Sequence, residues 1–563
     1  MNPAVETMSG AEAAVEMLRL HGVEIIFGLC GDTSLPLYDA LARLPHGMRH
    51  VLARDERSAA YMADGYARIS GKVGVCEGPS GGGVTYMIPG LAEANDSSVP
   101  LLCINSDISV AARGRFTLTE LDQGSLMRPV TKWNTVLDRA EDLPQTFREA
   151  FRQCTGGRPG AAHIALPFDV QNGLVPRSDV FGDPSFGRCP AERLAPAAHL
   201  VEAAARLLSV ARQAVIICGG GVMTSRAELE LVQLAERLST PVATTISGKG
   251  SIDEQHPLAV GVVGSNGGTP ETRAIVDQAD LIVFVGCRAG SVTTERWHHP
   301  VPGTTKVIHI DVDPKVPGVN YPVDVALVGD AKLALQTLNE ALAGLRRPLD
   351  GSRVEAAKQQ KFAIFQSLAE SNETPIKPER VVAELTRAVE ADAMVVADAG
   401  TACPYFSAYY PVRGRGRTFI SNRAHGALGY SMAAAMGAHL AQPKVKTVAV
   451  MGDGSFGFTC GEIETAARYR LPITFIVISN ASYGWIKAGQ RSGYGQRYFA
   501  VDFTATNHAA VAAAFSVKSW RVTEPGQLAK ALQEALAHGG PSLVDIVCQP
   551  LEQAKAPVSE WIA

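Results

Sequence analysis

Several features that mark particular protein classes are absent from this 563-residue sequence. No apolar run approaches the roughly 20 residues that cross a bilayer, which argues against a membrane protein. The ten cysteines are scattered, without a CxxC pair or a Cys/His cluster, so we expect reduced, buried thiols. The 52 basic and 56 acidic residues nearly balance, which gives no support for nucleic-acid binding. The acidic N-terminus lacks the pattern of a signal peptide, and we expect a cytoplasmic protein.

The sequence is 46% apolar and contains many Ala, Gly and Val residues. Apolar runs alternate with helix-like segments along the chain, which is typical of parallel α/β sheets. We predict three doubly wound parallel-sheet α/β domains, with residues 174–196 and 346–378 as linkers. The domains are placed at residues 1–175, 197–345 and 379–550, and a short tail follows at 551–563. The segments MADGYARISG and ALGYSMAAAMG are weakly similar to each other, which predicts that the first and third sheets are similar.

Residues 448–487 carry the strongest functional signal. The apolar runs VAVM and ITFIVIS flank a helix-like segment; Gly452-Asp453-Gly454 follows the first run and Asn480 follows the second. Ligand sites in parallel sheets lie at the carboxyl ends of the strands. A carboxylate, an amide oxygen and a nearby carbonyl suit Mg²⁺ together with phosphate oxygens. Gly454 and Ser455 open the helix, where backbone amides favour a diphosphate.

Two motifs carry a family resemblance. Residues 448–487 resemble the thiamine diphosphate-binding motif, GDG followed by NN, with Ser479 in place of the first Asn. Residues 54–68 resemble the pattern HE-x-x-A-x-x-MA-x-GYAR, in which Asp55 replaces the His and Glu56 matches. The two motifs lie in the expected order, about 400 residues apart. The chain is identified as a member of the acetohydroxyacid synthase–pyruvate oxidase–benzoylformate decarboxylase group, with pyrimidine-binding, central and diphosphate-binding domains in that order.

The resemblance assigns roles to individual residues. Glu56 is expected to hydrogen-bond the aminopyrimidine of the cofactor, Gly426 to offer its carbonyl to the exocyclic amine, and Leu428 to force the bent cofactor shape. Asp453, Asn480 and the carbonyl of Ser482 are expected to bind Mg²⁺. The further expected cofactor contacts are Gly400, Thr401, Gly452, Gly454, Ser455 and Tyr483.

Substrate and acid–base residues are less sharply defined by the pattern. Asp32 and His425 are candidate acid–base groups, although a helix N-cap and a packed structural His are the alternatives. The resemblance places Cys30, Thr119, Trp485 and Ile486 at the substrate pocket. Four cations are candidates for an anionic or CoA substrate, or else are solvated surface charges: Arg288, Arg296, Lys487 and Arg491.

The resemblance implies a thiamine diphosphate- and Mg²⁺-dependent enzyme of the acetolactate synthase or 2-oxo acid decarboxylase type. It would decarboxylate a 2-oxo acid and release the resulting enamine or join it to a second carbonyl. A 2-hydroxyacyl-CoA lyase or oxalyl-CoA decarboxylase-like enzyme, and a non-catalytic cofactor-binding protein, are the alternatives. Family geometry places Glu56 and Asp453 on different subunits, which implies at least a homodimer, with a homotetramer expected.

The central domain carries a weak nucleotide signal. Gly219-Gly220-Gly221 follows a predicted strand but lacks the full GxGxxG spacing. We favour a central domain without a nucleotide and keep FAD or ADP as an alternative. The tail at 551–563 is a candidate lid.

Overall fold

Three six-stranded sheets, each entirely parallel, form the framework of the chain. The structure is a computed structural model that describes residues 6–561. Each sheet carries helices, so the predicted class of three parallel-sheet α/β domains is confirmed. Within residues 6–561, no helix combines the length and the apolar character needed to cross a membrane.

The first sheet is built from the N-terminal third of the chain. Its strands are β2 (Ile25–Gly28), β3 (Arg49–Leu52), β4 (Gly74–Gly78), β5 (Leu101–Asp107), β6 (Trp133–Val136) and β7 (Ala161–Pro167), flanked by β1 (Thr7–Ser9) and β8 (Leu174–Pro176). The helices are α1 (Gly10–Leu20), α2 (Leu35–Arg43), α3 (Glu56–Ser70), α4 (Gly82–Asp96), α5 (Gln123–Met127), α6 (Leu143–Thr155) and α7 (Phe168–Asn172). The strand order is β3-β2-β4-β5-β7-β6, and β1 pairs with β8 in a separate antiparallel ribbon.

The middle sheet has the order of a dinucleotide-binding fold. Its strands are β9 (Ala214–Cys218), β10 (Val242–Thr244), β11 (Ala259–Val262), β12 (Leu281–Val285), β13 (Lys306–Asp311) and β14 (Val325–Val328), in the order β11-β10-β9-β12-β13-β14. The helices are α8 (Ala198–Val210), α9 (Gly220–Ser225), α10 (Glu228–Leu238), α11 (Pro270–Asp277), α12 (Ala331–Ala341) and α13 (Ser352–Ala369). Alternate residues of β9 enter two different apolar cores, so both faces of the sheet are covered.

The third sheet repeats the topology of the first. Its strands are β15 (Met394–Ala397), β16 (Phe419–Ser421), β17 (Thr447–Gly452), β18 (Ile473–Ser479), β19 (Lys518–Val522) and β20 (Ser542–Val547). The helices are α14 (Pro378–Ala388), α15 (Ala402–Tyr409), α16 (Tyr430–Ala441), α17 (Asp453–Thr459), α18 (Glu462–Arg468), α19 (Gly484–Gly493), α20 (His508–Ala514) and α21 (Pro525–Ala537). Numbered along the chain, the strands of both sheets follow the order 2-1-3-4-6-5. The predicted similarity of the first and third sheets is thereby confirmed.

Helix α16 packs against the first sheet's helix α3 with unusually close backbones. The chain up to Glu192 and the segment Ala424–Pro443 form one compact unit, and the remaining residues form a second. A Cβ placed at Gly65 of α3 would lie 2.1 Å from the carbonyl oxygen of Ala434, and one at Gly437 of α16 would lie 1.8 Å from that of Met62. Glycine is therefore required on both helices at this crossing.

The turn Gly219-Gly220-Gly221 follows β9, and it lies between β9 and β12, where the strand order reverses. This is where ligands bind in open α/β sheets. A Cβ at Gly219 would lie 2.1 Å from the carbonyl oxygen of Gly286, and one at Gly221 would lie 2.6 Å from the Cα of Gly286. The contact between two loops of the protein itself explains these glycines.

The structure differs from the sequence expectations at short or irregular elements. The helix-like stretch after Gly454 is two helices, because α17 ends at Thr459 and α18 begins at Glu462. The segment 174–196, predicted as a linker, begins with a short strand, β8, which pairs with β1. The edge strands β6, β11, β14, β16 and β19 were not anticipated, because three to five residues give too short an alternation to recognise.

Candidate active site

Glu56 is a buried carboxyl at the start of helix α3. Asp55 caps the helix by accepting hydrogen bonds from the backbone N–H groups of Arg57 (2.8 Å) and Ser58 (3.3 Å), which fixes Glu56 as its first residue. Only 8% of Glu56 is exposed. Burial raises the pKa of its carboxyl, and the nearby charges of Asp55 and Glu77 raise that pKa further. This environment therefore favours the protonated form of the carboxyl more than water does.

The glycine-rich loop after β4 makes room for Glu56. A Cβ at Gly78 would lie 3.2 Å from the Cγ of Glu56, and one at Gly83 would lie 3.2 Å from its Oε1 and 2.7 Å from Pro79. Side chains at these positions would press on the carboxyl. The loop is therefore glycine-rich at least partly because it holds Glu56 in place.

A chain of hydroxyl groups joins three loops at the carboxyl ends of the first sheet. Thr33 contacts the Oγ of Ser106 at 2.8 Å and that of Ser80 at 3.1 Å, and Ser80 contacts the Oγ1 of Thr119 at 2.7 Å. The structure thus brings the predicted pocket residue Thr119 to the Ser80 loop. It also places Asp32 beside this chain, because Asp32 is the first residue of the 3-10 turn Asp32–Ser34.

Asp32 and Cys30 are both exposed in the single chain. The Asp32 carboxylate accepts a hydrogen bond from the adjacent Thr33 N–H at 2.8 Å, whereas Gly31 occupies the N-cap position. Burial raises the pKa of the Cys30 thiol, which favours the protonated, weakly nucleophilic form.

A second buried carboxyl, Glu77, lies under helix α2. Its side chain passes over Gly28 of the neighbouring strand, accepts a hydrogen bond from the hydroxyl of Tyr38, and contacts the Nε2 of His50 at 3.2 Å. Burial raises the pKa of Glu77, although His50 and Tyr38 act in the opposite direction. This group is one source of the raised pKa of Glu56.

Glu93 of helix α4 holds the loop that precedes α16. Its Oε2 accepts hydrogen bonds from the backbone N–H groups of His425 (2.8 Å) and Gly426 (3.4 Å), and its Oε1 accepts one from Arg68 (3.1 Å). Arg68 also pairs with Asp64 at 2.7 Å. The Gly426 peptide is therefore fixed by a buried ionic network. His425 itself has an exposed side chain, and Leu428 is half-buried.

Asp453 and Asn480 meet at the carboxyl ends of β17 and β18. The Oδ2 of Asp453 accepts hydrogen bonds from the N–H groups of Asn480 (2.7 Å) and Ala481 (2.6 Å), and its Oδ1 accepts one from Gly454 (2.9 Å). Ala481 is in the left-handed region with φ +54°, which brings Ser482 back toward Asn480. Burial raises the pKa of Asp453, and the three N–H groups partly offset this effect.

These residues fit a magnesium ion. One polar atom of the Asn480 amide, placed as Nδ2, is buried without a hydrogen-bond partner, whereas the other contacts the hydroxyl of Ser482 at 3.2 Å. Since a hydroxyl can donate or accept, the amide oxygen fits the unpaired position equally well. A carboxylate, an amide oxygen and the carbonyl of Ser482 are hard ligands, and a cation there would favour the charged form of Asp453.

The other predicted cofactor residues surround the same strand ends. A Cβ at Gly484 would lie 3.1 Å from the Nδ2 of Asn480 and 3.3 Å from the Oγ1 of Thr401, so Thr401 and Asn480 are neighbours. Thr401 follows Gly400, which has φ +86°, at the end of β15. The loops after β15, β17 and β18 therefore converge where the strand order of the third sheet reverses, which is the expected place for a ligand.

The ring of Tyr483 covers the turn that follows β17. A Cβ at Gly454 would lie 2.9 Å from this ring, which explains the glycine there. The next helix residue, Ser455, donates a hydrogen bond to the carboxylate of Asp398 at 2.5 Å. Gly452 ends β17 and precedes Asp453 as the N-cap residue of α17.

Ser479, which stands where the motif has its first Asn, belongs to a buried network. Its hydroxyl donates to the Oδ1 of Asp545 at 2.5 Å and contacts the Nδ1 of His508 at 3.0 Å. Although burial opposes it, contacts from His508, Ser479 and Arg521 lower the pKa of Asp545. In this chain Ser479 thus fixes the end of β18 through its contacts with Asp545 and His508.

Trp485 and Ile486 lie in the first turn of helix α19, a few residues after Asn480 in the chain. Ile486 is 55% exposed, whereas the ring of Trp485 lies 5.0 Å from that of Trp561 in the tail. The hydroxyl of Ser559 donates to Glu295 at 2.6 Å. The tail is therefore bound to α19 and to a loop of the middle sheet.

The candidate cations Arg296, Lys487 and Arg491 have internal partners. Arg296 pairs with Glu560 at 3.3 Å, Lys487 pairs with Glu552 at 3.2 Å, and Arg491 donates to the carbonyl of Glu552. These interactions anchor the tail, which favours an anchoring role for these three cations over substrate binding.

The residues at these sites that were not predicted from the sequence include Thr33, Glu77, Glu93 and Ser106. Glu77 interrupts an apolar strand, and Glu93 stands between two alanines on a mostly apolar helix, so a buried role was detectable. Thr33 and Ser106 carry no comparable signal, because small hydroxyl residues are common in loops.

Comparison with known proteins agrees with this geometry. Three family models match in chain order: the thiamine pyrophosphate enzyme N-terminal TPP binding domain over residues 8–126, the central domain over 201–338, and the C-terminal TPP binding domain over 398–546. The chain therefore belongs to the thiamine pyrophosphate enzymes.

The names of similar proteins are more specific than the family descriptions. A probable acetolactate synthase large subunit of Methanocaldococcus jannaschii is 34% identical over 554 residues, which cover 97% of this chain and 93% of that protein. The acetolactate synthase isozyme 3 large subunit of Escherichia coli K12 is 32% identical over 536 residues, which cover 94% and 93%. The chain is thus a thiamine diphosphate-dependent enzyme of the decarboxylase and carboligase type, in the group that includes the acetolactate synthases.

Proposed function

We propose that this enzyme decarboxylates a small 2-oxo acid and joins the remaining acyl unit to a second carbonyl compound, as an acetolactate synthase-like carboligase. The similarity to acetolactate synthases over 97% of the chain carries the proposal. Thiamine diphosphate, when bound, supplies the electron sink for loss of CO₂ and an acyl-anion equivalent. Atoms balance, because the carboxylate leaves as CO₂ and the acceptor's carbonyl oxygen takes up one proton to become a hydroxyl group when the new carbon–carbon bond forms.

The protein's part in this reaction is to hold and ionise the cofactor. Glu56 would share its proton with a ring nitrogen of the aminopyrimidine, and its raised pKa supports that role. Gly426, fixed by Glu93, would direct its carbonyl at the exocyclic amine. Leu428 would wedge the cofactor into its bent shape.

The diphosphate would be held with Mg²⁺ at the third sheet. Asp453, Asn480 and the Ser482 carbonyl are the proposed metal ligands, supported by the unpaired Asn480 amide atom. Gly400, Thr401, Gly452, Gly454, Ser455 and Tyr483 would line the cofactor. Asp32 and His425 remain the proposed acid–base groups, and Cys30, Thr119, Trp485 and Ile486 the proposed pocket residues.

We propose at least a homodimer, and a homotetramer as the working assembly. Phe116 is 102% and Leu118 is 82% exposed in the single chain, which supports burial of their loop by another subunit. A cytoplasmic location is supported by the ten free thiols, eight of them buried. Light scattering after size-exclusion chromatography measures the assembly, and a monomer that is fully active would contradict it.

The decisive experiment measures CO₂ release from a panel of 2-oxo acids with thiamine diphosphate and Mg²⁺, together with the identity of the product. We expect CO₂ from one small acid and a hydroxy-oxo acid product. No CO₂ from any acid would overturn the proposal, and cleavage of a 2-hydroxyacyl-CoA by the same sample would then establish the lyase alternative.

A further inference from the structure

The four hydroxyl groups at the carboxyl ends of the first sheet form a hydrogen-bond chain with a single direction. The Oγ1 of Thr119 lies 2.5 Å from the carbonyl oxygen of Leu118, to which a hydroxyl can only donate. Since each hydroxyl has one proton, Ser80 must donate to Thr119. By the same reasoning Thr33 donates to Ser80, and Ser106 donates to Thr33. Every proton of this chain is therefore used inside the protein.

A ligand meets only acceptors on this chain. The hydroxyl oxygen of Thr33 is filled, because it accepts from Ser106 and from the backbone N–H of Ser80 at 3.2 Å. The oxygens of Thr119, Ser80 and Ser106 each keep a lone pair to which no group of residues 6–561 donates. Ser80 and Ser106 are each 4% exposed, whereas Thr119 is half-buried, so Thr119 is the acceptor within reach of a ligand. The exposed carboxylate of Asp32 next to Thr33 adds a further acceptor.

Thr119 is held in an unfavourable backbone conformation. Its φ is +68°, which is rare for a β-branched residue. Gly81 makes the arrangement possible, because a Cβ there would lie 2.8 Å from the Cβ of Thr119. Residues held in strained conformations by their surroundings are concentrated at ligand sites. The conformation of Thr119 therefore supports a role in binding a ligand.

The hydroxyl chain lies beside the carboxyl that would activate the cofactor. Ser80 belongs to the glycine-rich loop after β4, which packs against Glu56. A surface of acceptors repels a carboxylate and a keto oxygen, but it binds a hydroxyl group that donates. A 2-oxo acid would therefore turn its side chain, and not its carboxylate, toward Thr119. A methyl group there would leave the oxygen of Thr119 without a partner, whereas a hydroxyl group would pair with it.

We propose that Thr119 selects a donor 2-oxo acid with a hydroxyl group on the carbon next to its keto carbon, an inference that rests on the proposed function. The hydroxyl of the substrate would donate to the free lone pair of Thr119. The short distance along the substrate is chosen because the loop that carries Ser80 also packs against Glu56. A site that hydrogen-bonds a hydroxyl group rejects the analogue that lacks it. Hydroxypyruvate should therefore be a better donor than pyruvate.

The test measures CO₂ release by the holoenzyme from hydroxypyruvate and from pyruvate, which differ by one hydroxyl group. The kcat/KM of the wild type should be at least about tenfold higher for hydroxypyruvate. Thr119→Val keeps the shape and the β-branch but removes the acceptor. It should lower the ratio of the two kcat/KM values about 5- to 10-fold. Thr119→Ser keeps the hydroxyl and should preserve the ratio.

Thr85→Val is the matched control, because it removes an exposed hydroxyl that donates within helix α4, to the carbonyl of Gly82, and it should leave the ratio unchanged. Thermal melting reports folding; if Thr119→Val is unfolded, Thr119→Ala against Thr119→Ser gives the same comparison. A wild type that uses pyruvate, or another acid without a hydroxyl group, at least as well as hydroxypyruvate overturns this inference alone. An unchanged ratio in Thr119→Val, or an equal fall in Thr119→Ser, does the same. Release of CO₂ from no 2-oxo acid overturns the proposed function and, with it, this inference.

Discussion

Replacing Glu56 by Gln tests the centre of the mechanism with almost no change in shape. The amide fills the same space between the Gly78–Gly83 loop and α3, where the carboxyl is closely packed. It cannot share or transfer a proton as a carboxyl can. Cofactor binding, which we assign mainly to the third sheet, should therefore survive while ionisation of the cofactor fails.

The expected loss of turnover follows from the role of the proton. Positioned acid–base groups contribute about 10²- to 10⁴-fold, which corresponds to about 2.7–5.4 kcal/mol of barrier. Glu56→Asp keeps the acid but withdraws it by one methylene, or about 1.5 Å, from its place beside the glycine-rich loop. Misplacement on that scale costs on the order of 10²-fold.

The assay is single-turnover and steady-state CO₂ release, with cofactor affinity measured by calorimetry on the same samples. Asp55→Asn is the neighbouring control, because Asn retains the N-cap of α3 and should leave activity within a few-fold of wild type. Turnover of Glu56→Gln within threefold of wild type would refute the assigned role.

The raised pKa of Glu56 also predicts how stability depends on pH. Its pKa in the folded protein lies above the ordinary value of 4.5, so the folded state binds this proton more tightly than the unfolded state. The contribution of Glu56 is fully present below about pH 4.5 and is lost as the pH rises through the folded value. Apo Glu56→Gln should therefore gain thermal stability over wild type as the pH rises from 5 to 8. A constant difference in melting temperature across this range would contradict the raised pKa.

Three further perturbations have defined outcomes. Asp453→Asn should weaken Mg²⁺-dependent cofactor binding by at least about 100-fold in calorimetry, whereas the exposed Asp502→Asn should not; equal affinities would exclude Asp453 as a ligand. Gly437→Ala should destabilise the protein by about 3 kcal/mol or more, because its Cβ would lie 1.8 Å from a carbonyl oxygen, whereas Gly457→Ala, with open space around it, should not lower the melting temperature. Glu93→Gln should raise KM for thiamine diphosphate several-fold and alter its circular dichroism signal, since the amide NH₂ must face a donor, either the two backbone N–H groups or Arg68; partial rescue by Glu93→Asp would separate positioning from loss of fold.

The sequence was most informative where physical constraints are local. β18 was predicted to the residue, because the continuous apolar run ITFIVIS defines a buried strand. Asp453 and Asn480 could be paired because parallel strands end at the same edge. β11 and β14 were missed, since four-residue strands depend on their neighbours in the sheet more than on their own pattern.

Long-range contacts were beyond the sequence. Nothing local connects Glu93 with the Gly426 peptide, which lies more than 330 residues away, or Thr119 with Ser80. Nor does the sequence show that the glycines after β4 make room for Glu56. These contacts arise from the packing of distant segments, which an isolated pattern does not encode.

The crossing of α3 and α16 has a consequence for synthesis on the ribosome. The first compact unit is contiguous to Glu192 but needs the segment Ala424–Pro443 to be complete. At about 5–20 residues per second, the intervening 250 or so residues take roughly 13–50 seconds to translate. During that interval α3, with twelve of its fifteen residues buried in the finished protein, lacks its partner helix. Production of the folded enzyme therefore depends on keeping the nascent first domain from associating with other chains, and slower translation lengthens this period of exposure.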